Sequence, residues 1–361
     1  MNTYAEINLD AVKSNIREIK KLLSEKTKFM AVVKANAYGH GSVALTRAAI
    51  EAGVDYLAVA NLKEALELRE AGVVCPILIL TESPTSVVDE IVQHQLTQTA
   101  YSFSEAKALS EEAVKRKKTA KIHIKVDTGM GRVGVHPSEA SALAAKISSL
   151  PAIEIEGVFT HFARADEHED AYTKEQFEKF KSIIAKFPGI KHAANSAAAL
   201  LHKETHLDMV RIGLMIYGIY PQPSANRIIN LKPALSFKSR VVYIKRVPAG
   251  TAISYGGIYS TSKETAIATL PVGYADGYSR RLSNRGKVLI NGKRYPIVGR
   301  VTMDMAMVNV GDDNISVGDE AVLIGSQGIE TITADEIAAL EDTISYEVIC
   351  NIGKRVPRIY K

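Results

Sequence analysis

The sequence predicts an α/β protein in two parts: an N-terminal (β/α)8 TIM-type barrel over residues 1–232 and a C-terminal mainly-β domain over residues 233–361. Up to about residue 220, eight short apolar runs alternate with amphipathic helical stretches. Eight parallel strands with intervening helices close into a barrel. Beyond residue 232 the helical periodicity nearly disappears, and turn residues separate the apolar runs. The 361 residues exceed those of a barrel alone, which leaves room for the second domain.

The predicted barrel strands are rich in β-branched and aliphatic residues, as expected of parallel strands that are buried on both faces. They cover residues 29–33, 56–60, 76–80, 96–100, 121–126, 155–160, 190–194 and 209–212. Between them, apolar residues recur at spacings of three and four, which predicts helices. These helices cover residues 42–52, 62–71, 104–117, 137–150 and 172–187.

The second domain is predicted to contain strands over residues 236–247, 264–270, 287–290, 294–298 and 320–324. Asn291 and Gly292 separate two of these strands and predict a tight hairpin, because both central positions of a type I′ turn need positive φ. A single helix is predicted over residues 334–339, since Thr333 precedes it and Glu336 follows three residues later, as in a capping box.

Composition and charge argue against several classes of protein. Hydrophobic residues make up 46% and charged residues 24% of the chain, and the apolar runs fall well short of a membrane span. The net charge of +5 is modest, and no recognition module accompanies its basic residues, so no nucleic-acid partner is expected. The first residues lack a signal-like pattern, which predicts a cytoplasmic protein. No spacing of Cys and His residues indicates a metal site.

Lys34 is the first candidate for a catalytic residue. It follows the first predicted strand and precedes a polar turn that contains Gly39 and Gly41. In barrels such strand-to-helix junctions carry the chemistry, and a desolvated lysine amine is the usual partner of an aldehyde in Schiff-base catalysis. The pattern by itself equally allows a lysine whose amine reaches solvent from a strand end.

The ends of the other predicted strands also carry polar residues. Together with Lys34, these are Lys125, Asp127, His161, Asn195, Ser196, Arg211 and Gly213. The stretches 195–196 and 211–214 follow the last two strands, where barrels commonly hold phosphate through backbone amides and hydroxyl groups. An ordinary loop is the alternative for either stretch. Combined with a Schiff-base lysine, they suggest pyridoxal 5′-phosphate (PLP) as the cofactor.

The run AVVKANAYGHG at residues 31–41 resembles the cofactor-lysine signature of the alanine racemase family. Other stretches follow in the order that the family shows: KVDTGMGR at 125–132, THFA at 160–163, ANS at 194–196, VRIG at 210–213, ISYG at 253–256, PVGYADG at 271–277, MD at 303–304 and SYEV at 345–348. The resemblance covers essentially the whole chain. It implies the same architecture that the periodicity predicts.

The resemblance implies PLP-dependent interconversion of L-alanine and D-alanine by two bases. Lys34 would hold the cofactor and exchange the Cα proton on one face of the substrate, and Tyr255 would serve the opposite face. Each base must be found protonated or deprotonated according to the direction of turnover, which suits two different residues. Arg211 would face the pyridine nitrogen of the cofactor, and His161 and Arg211 would form the chain behind Tyr255.

The resemblance also implies residues that bind the substrate and the phosphate. Arg132 would bind the substrate carboxylate, since its guanidinium suits a bidentate pair. Lys125 resembles the family lysine that is often carbamylated by CO2, and a carbamate there would hold Arg132; an ordinary strand lysine paired with a carboxylate is the alternative. The residues that would bind the cofactor besides Lys34, His161 and Arg211 are Tyr38, Asn195, Ser196, Gly213, Leu214 and Tyr346.

In relatives, residues of the second domain reach the barrel of the other subunit in a head-to-tail homodimer, so the resemblance implies shared active sites. The residues concerned are Tyr255, Met303, which would contact the substrate, and Asp304. The entry corridor would be lined by Asp166, Tyr274, Arg281, Arg300 and Tyr346. A narrow corridor with tyrosine walls favours the methyl side chain of alanine. Met305 and the pair Gly353 and Lys354 depart from the family's usual residues, which leaves the tolerance for serine open.

Alternative functions remain at this point. A racemase of a related small amino acid such as serine would use the same residues. A PLP-dependent decarboxylase of the same architecture is disfavoured by the tyrosine at residue 255 and by Arg211. A non-catalytic PLP-binding homeostasis protein can be a barrel alone, which fits poorly with a β domain of this size. The sequence leaves open whether D-alanine is made for peptidoglycan or alanine is catabolised.

Overall fold

The computed structural model describes residues 2–167, 171–185, 187–222 and 228–361. The chain forms two compact units. One comprises Ala11–Ala37 and Ser42–Lys232, and the other comprises Met1–Asp10, Tyr38–Gly41 and Pro233–Lys361. Among these described ranges, no helix has the length and apolar character needed to cross a membrane.

The first unit, the barrel unit, is built on a closed barrel of eight parallel strands. In chain order the strands are Lys28–Val32, Tyr56–Val59, Ile77–Ile79, Thr97–Ala100, Ala120–Lys125, Ile153–Phe159, Ile190–His192 and Met209–Ile212. Each strand pairs with the next, and the eighth pairs with the first from Lys28 opposite Met209 onward, which closes the barrel. All eight predicted strands and the predicted barrel are confirmed.

One helix precedes the first barrel strand, and seven others lie between successive barrel strands. They are Leu9–Lys20, Ser42–Glu51, Leu62–Glu70, Val88–Gln93, Phe103–Arg116, Ala140–Ser148, Ala171–Ile184 and Ser196–Leu201. The five predicted helices are confirmed with shifted ends, and residue 186 of the predicted range 172–187 lies outside the described residues. Side-chain caps fix three of the starts: Asn61 accepts from the Glu64 amide, Ser102 from the Glu105 amide, and Asn195 from the Ala198 amide.

The second unit, the β unit, contains three sheets. The largest has the order Lys293–Pro296, Lys287–Ile290, Glu320–Gln327, Leu235–Arg240, Tyr4–Ile7 and Arg358–Tyr360, with Glu330–Ile332 also paired to Glu320–Gln327. A three-stranded sheet contains Tyr243–Val247, Thr265–Leu270 and Ala306–Gly311, and a two-stranded one contains Ala252–Ile253 and Tyr259–Ser260. The predicted mainly-β character is therefore confirmed.

The single strand predicted over residues 236–247 is wrong, because the chain changes sheets within it. Leu235–Arg240 lies in the largest sheet and Tyr243–Val247 in the three-stranded one. The amide of Val241 still donates to the carbonyl of Asp319, next to the largest sheet. The amide of Val242 already donates to the carbonyl of Thr269, which lies in the three-stranded sheet. Residues 236–247 contain no turn signal, so the sequence does not show where the chain passes from one sheet to the other.

The predicted hairpin is confirmed: Asn291 and Gly292 have φ of 51° and 76° and join two antiparallel strands. The helix predicted behind Thr333 is confirmed as Ala334–Glu341, with the Thr333 hydroxyl accepting from the Glu336 amide. The prediction of only one helix in this part of the chain is wrong, because Ser345–Cys350 is also helical. Tyr346 therefore lies on a helix.

Candidate active site

Lys34 lies directly after the first barrel strand, and the backbone on both sides of it is held by side chains. The Tyr217 hydroxyl donates to the Val32 carbonyl over 2.8 Å, and the amide of Ala35 donates to Glu64 Oε1 over 2.8 Å. These bonds come from other elements of the same unit, so they fix where the strand ends. Lys34 is consequently placed by the fold at the carboxyl end of the barrel, where barrel enzymes carry their chemistry.

A left-handed turn follows Lys34. Four successive non-glycine residues have positive φ: 53° at Ala35, 53° at Asn36, 52° at Ala37 and 52° at Tyr38. This conformation costs about 1–2 kcal/mol for each L-residue. Part of its support is the Asn36 side chain, whose Oδ1 accepts from the Ser42 amide over 2.9 Å. Strain of this kind persists where the surroundings over-determine it and is concentrated at functional sites.

Arg211 is buried in the barrel and held by four acceptors. Its Nη2 donates to the carbonyls of Thr160 and Ala193 over 2.8 and 2.9 Å, and to His161 Nδ1 over 3.1 Å. Its Nη1 donates to His192 Nδ1 over 3.0 Å. Burial lowers the pKa of Arg211 to about 9, which still leaves the guanidinium charged at pH 7. None of these four acceptors is a carboxylate, so they hold the charge without neutralising it.

His161 is the neighbour of Arg211 that follows the sixth strand. Burial, and then the positive charges of Arg211 and Arg132, lower the pKa of His161 well below its usual value. The imidazole is therefore neutral at pH 7. Because a guanidinium can only donate, His161 Nδ1 must be the acceptor, and the ring proton resides on Nε2.

Lys125 ends the fifth strand and is nearly completely buried. Burial first, and then the charges of Arg132 and Arg211, lower the pKa of Lys125 to about 8. Its Nζ lies 5.6 Å from the ring centroid of Phe159, and Arg211 Cζ lies 5.2 Å from the same centroid. Phe159, which the sequence analysis did not predict as a site residue, thus packs against both cations.

Asp127 shapes the turn that carries Arg132. Its Oδ1 accepts from the amides of Gly129, Met130 and Gly131 over 3.0, 2.8 and 3.1 Å, and its Oδ2 accepts from the Arg132 amide over 3.2 Å. Burial would raise the pKa of Asp127, but these four donors outweigh it and hold the pKa below its ordinary value. Asp127 is therefore a positioning residue, and the exposed Arg132 is presented by its turn.

Ser196 and Gly213 come together after the last two strands. The amide of Gly213 donates to Ser196 Oγ over 3.0 Å, and Leu214 begins a short 3₁₀ turn directly afterwards. The Asn195 side chain caps the helix Ser196–Leu201 by accepting from the Ala198 amide over 3.0 Å. Asn195 thus positions Ser196. Because Ser196 Oγ accepts from the Gly213 amide, its hydroxyl proton can be donated to an anionic group.

Two clusters of predicted site residues lie in the β unit. Tyr38 and Tyr346 form an aromatic pair with ring centroids 5.9 Å apart, and burial raises the pKa of Tyr38. The second cluster lines a cleft of about 570 Å³. Its members from the predicted set are Tyr255, Tyr274, Arg300, Met303 and Asp304.

Tyr255 and Met303 are conspicuously exposed for their type, at 74% and 52%. Asp304 is held by Arg355, whose Nη2 donates to its Oδ1 over 2.7 Å. Arg281 donates to the Glu341 carbonyl, and Arg280 lines the cleft in its place. Asp166 belongs to the barrel unit. The predicted corridor residues therefore do not all come together within either unit.

The fold defines a class of protein: a TIM-type barrel joined to a β domain, with a lysine at the end of the first barrel strand and a buried, charged arginine in the barrel. Residues 7–221 match the model of the alanine racemase N-terminal domain, and residues 234–360 match that of the C-terminal domain. The chain belongs to the alanine racemase family.

Relatives with this name are similar over their full length. The alanine racemase of Carboxydothermus hydrogenoformans is 49% identical, with 99% of each chain covered, and that of Symbiobacterium thermophilum is 48% identical, with 99% of this chain and 97% of the relative covered. Among solved structures, alanine racemase from Clostridium difficile 630 has a TM-score of 0.96 at 41% identity, covering 100% of this chain and 96% of that one. Alanine racemase from Bartonella henselae, with covalently bound pyridoxal phosphate, has a TM-score of 0.90 at 29% identity and covers both chains completely.

Proposed function

We propose that this chain interconverts L-alanine and D-alanine with PLP as its cofactor, through two bases on opposite faces of the substrate. The observation that carries the proposal is the barrel site, where the strand-end Lys34 shares one unit with a buried and still charged Arg211. The membership in the alanine racemase family supports it. The product D-alanine would serve peptidoglycan synthesis, or the reverse reaction would serve alanine catabolism.

The donor set of the site fits PLP. Lys34 would hold the cofactor aldehyde, and the Ser196 hydroxyl, whose oxygen accepts from the Gly213 amide, would donate its proton to the phosphate. Leu214, Tyr38 and Tyr346 are the further residues proposed to bind the phosphate. Arg211 would donate to the pyridine nitrogen. PLP, when bound, supplies the electron-withdrawing ring that makes the Cα proton of an amino acid acidic. Because a guanidinium does not protonate its partner, Arg211 keeps that nitrogen an acceptor and moderates this effect.

The two bases act from different parts of the assembly. Lys34 Nζ takes or returns the Cα proton on one face, and Tyr255 Oη does so on the other. Tyr255 is supplied by a second copy of the chain in a homodimer, which accounts for the exposure of Tyr255 and Met303 on the β unit. The neutral His161, with its proton on Nε2 and its Nδ1 tied to Arg211, assists the tyrosine as a hydrogen-bond donor.

Substrate choice follows from a charge pair at the carboxylate of the amino acid and from steric exclusion at its side chain. Arg132 pairs with the carboxylate that all amino acids share, so it contributes affinity and no selectivity. Met303 of the second copy, together with Tyr255, limits the room beyond Cα to a methyl group. Bulkier side chains are rejected because they meet a steric wall.

Racemisation of a panel of amino acids tests this function. We expect the purified protein with PLP to racemise L-alanine rapidly and L-serine, L-lysine and L-arginine slowly, as measured by chiral chromatography. Preference for serine or for a bulkier amino acid would contradict the steric argument, although the two bases could still act as proposed. Bound PLP without turnover of any amino acid would contradict the proposed function and favour a PLP carrier.

We further propose that Lys125 carries a carbamate. CO2 reacts with a neutral amine to give R–NH–COO⁻ with release of one proton, so the reaction needs a lysine of lowered pKa. With a pKa of about 8, roughly one-tenth of Lys125 is neutral at pH 7, far more than for an ordinary lysine. The carbamate replaces a cation among Arg132 and Arg211 with an anion and so relieves their repulsion.

Carbon-13 NMR checks the carbamate directly. With ¹³CO2, we expect a carbamate signal in the native protein that grows as the pH rises from about 7 to 8.5, since deprotonation of Lys125 exposes the reactive amine. Lys125→Arg keeps the charge and cannot form the adduct, so its spectrum lacks the signal. Lys146, on a surface helix, serves as the control, and Lys146→Arg is expected to leave the signal unchanged. A native spectrum without any protein-bound signal would contradict the proposal.

A further inference from the structure

The barrel interior contains a row of polar side chains that begins at Arg211 and continues through three residues that neither the family signature nor the proposed mechanism uses. His192 Nε2 lies 2.8 Å from His123 Nδ1, and His123 Nε2 lies 3.2 Å from Glu156 Oε2. At the other end, Arg211 Nη1 lies 3.0 Å from His192 Nδ1. We call these four residues the imidazole chain. It connects Arg211 through the barrel to a carboxylate on the sixth strand.

The direction of the hydrogen bonds in the imidazole chain is fixed from both ends. Arg211 can only donate, so His192 Nδ1 accepts and the His192 proton lies on Nε2. That proton is donated to His123 Nδ1, which leaves the His123 proton on Nε2, where it is donated to Glu156. An ionised carboxylate can only accept. Both histidines are therefore neutral Nε2–H tautomers. Burial lowers both pKa values, and for His123 this lowering outweighs the opposing effect of Glu156.

The imidazole chain is buried and tightly packed. His123 and His192 are fully buried, and the His192 ring stacks on Phe159 with centroids 4.8 Å apart. Gly157 leaves the space that His123 occupies, because a Cβ at residue 157 would lie 2.9 Å from the His123 ring. At that distance the His123 ring or the backbone of residue 157 would have to move. Gly157 on the sixth strand is therefore required for His123 to occupy its place in the imidazole chain.

Glu156 is kept ionised at the outer end. It accepts from Lys121 over 2.7 Å and from the Tyr56 hydroxyl over 2.6 Å, in addition to His123. Burial would raise the pKa of Glu156, but these donors outweigh it and hold the pKa well below its usual range. The carboxylate lines a cavity of about 310 Å³ together with Tyr56, Thr97 and Lys121.

We propose that Glu156 is a remote positioning residue for the racemase reaction: through the tautomers of His123 and His192 it fixes Arg211 as a rigid, singly oriented donor toward the cofactor ring. This inference rests on the proposed function only for the role of Arg211. The carboxylate matters because it has no proton to give. A neutral amide at residue 156 could donate to His123, and the reversed chain would then point a His192 N–H at an Arg211 N–H.

Neutron diffraction on deuterium-exchanged crystals of the holoenzyme tests the direction without any assay. We expect deuterium on Nε2 of both His123 and His192 and none on either Nδ1. Deuterium on Nδ1 of His192 would overturn the proposal. If the protein failed to racemise alanine, the proposed function would fall, while this map would still decide whether the imidazole chain is directed as inferred.

Matched variants test the consequence for catalysis. Glu156→Gln is expected to lower kcat for alanine roughly tenfold with little change in KM, the low end of what loss of an outer hydrogen-bonding partner costs. Glu154→Gln removes an exposed carboxylate from the same strand and is expected to leave kcat unchanged. Glu156→Asp, which keeps an acceptor-only group, is expected to retain more kcat than Glu156→Gln. Equal effects of Glu154→Gln and Glu156→Gln, or a native kcat in Glu156→Gln, would overturn the proposal.

Discussion

Replacing Lys34 with alanine is expected to lower kcat for alanine racemisation by about 10⁴-fold, the upper end of what one acid–base group contributes. The substitution removes the proposed attachment point of the cofactor and one of the two bases together. The fold should persist, because the strand end is held by Tyr217 and Glu64 through backbone bonds that do not involve the Lys34 side chain.

Chiral chromatography of both reaction directions, with PLP in excess, measures this effect. Lys63→Ala is the matched control, since Lys63 is exposed on the helix that follows the second barrel strand and should keep native activity. Circular dichroism checks that Lys34→Ala is folded. A folded Lys34→Ala protein with more than a few per cent of native kcat would show that another amine holds the cofactor.

Replacing Tyr255 with phenylalanine is expected to lower kcat by about 10³-fold, within the range for loss of a general acid–base group. Only one oxygen is removed, and the side chain is 74% exposed, so stability should be unaffected. Because Lys34 still serves its face of Cα, one enantiomer of alanine should continue to exchange its Cα proton with deuterated solvent, while the other should not.

Proton NMR in deuterated buffer, with each enantiomer supplied separately, measures this asymmetry. Tyr243→Phe is the control, because Tyr243 is a second exposed tyrosine of the β unit, at 57%. If Tyr255→Phe lost exchange from both enantiomers equally while binding PLP normally, the assignment of one base to each face would be contradicted.

Much of the fold was predictable because local patterns coincide with single structural environments. Each barrel strand is a short, largely buried run between two parallel neighbours, and all eight were found. The predicted strand over residues 236–247 failed because its two halves, which no turn signal separates, belong to different sheets. The helix Ser345–Cys350 was not predicted, since its six residues contain too few turns to show a helical period.

The candidate site was predicted from position in the sequence and from the family signature. Lys34 stands at a strand end next to a glycine-containing turn, and the resemblance to the family proposes the remaining residues. The imidazole chain was missed because its contacts join strands far apart in sequence: His123 and His192 are 69 residues apart, and His123 and Glu156 are 33 apart. The available signal was a polar residue at an inward position of a strand, as at His123. This pattern does not indicate which residues the polar side chain contacts.

The central claim is that one active site needs Lys34 of one chain and Tyr255 of another. Mixing Lys34→Ala and Tyr255→Phe proteins, both inactive, under conditions that allow subunit exchange tests it most directly. Half of the dimers should be hybrids with one intact site each, so about a quarter of native activity should return. Activity that stays at the level of the separate variants, although exchange is shown by mass-tagged chains, would contradict shared sites and place both bases within one chain.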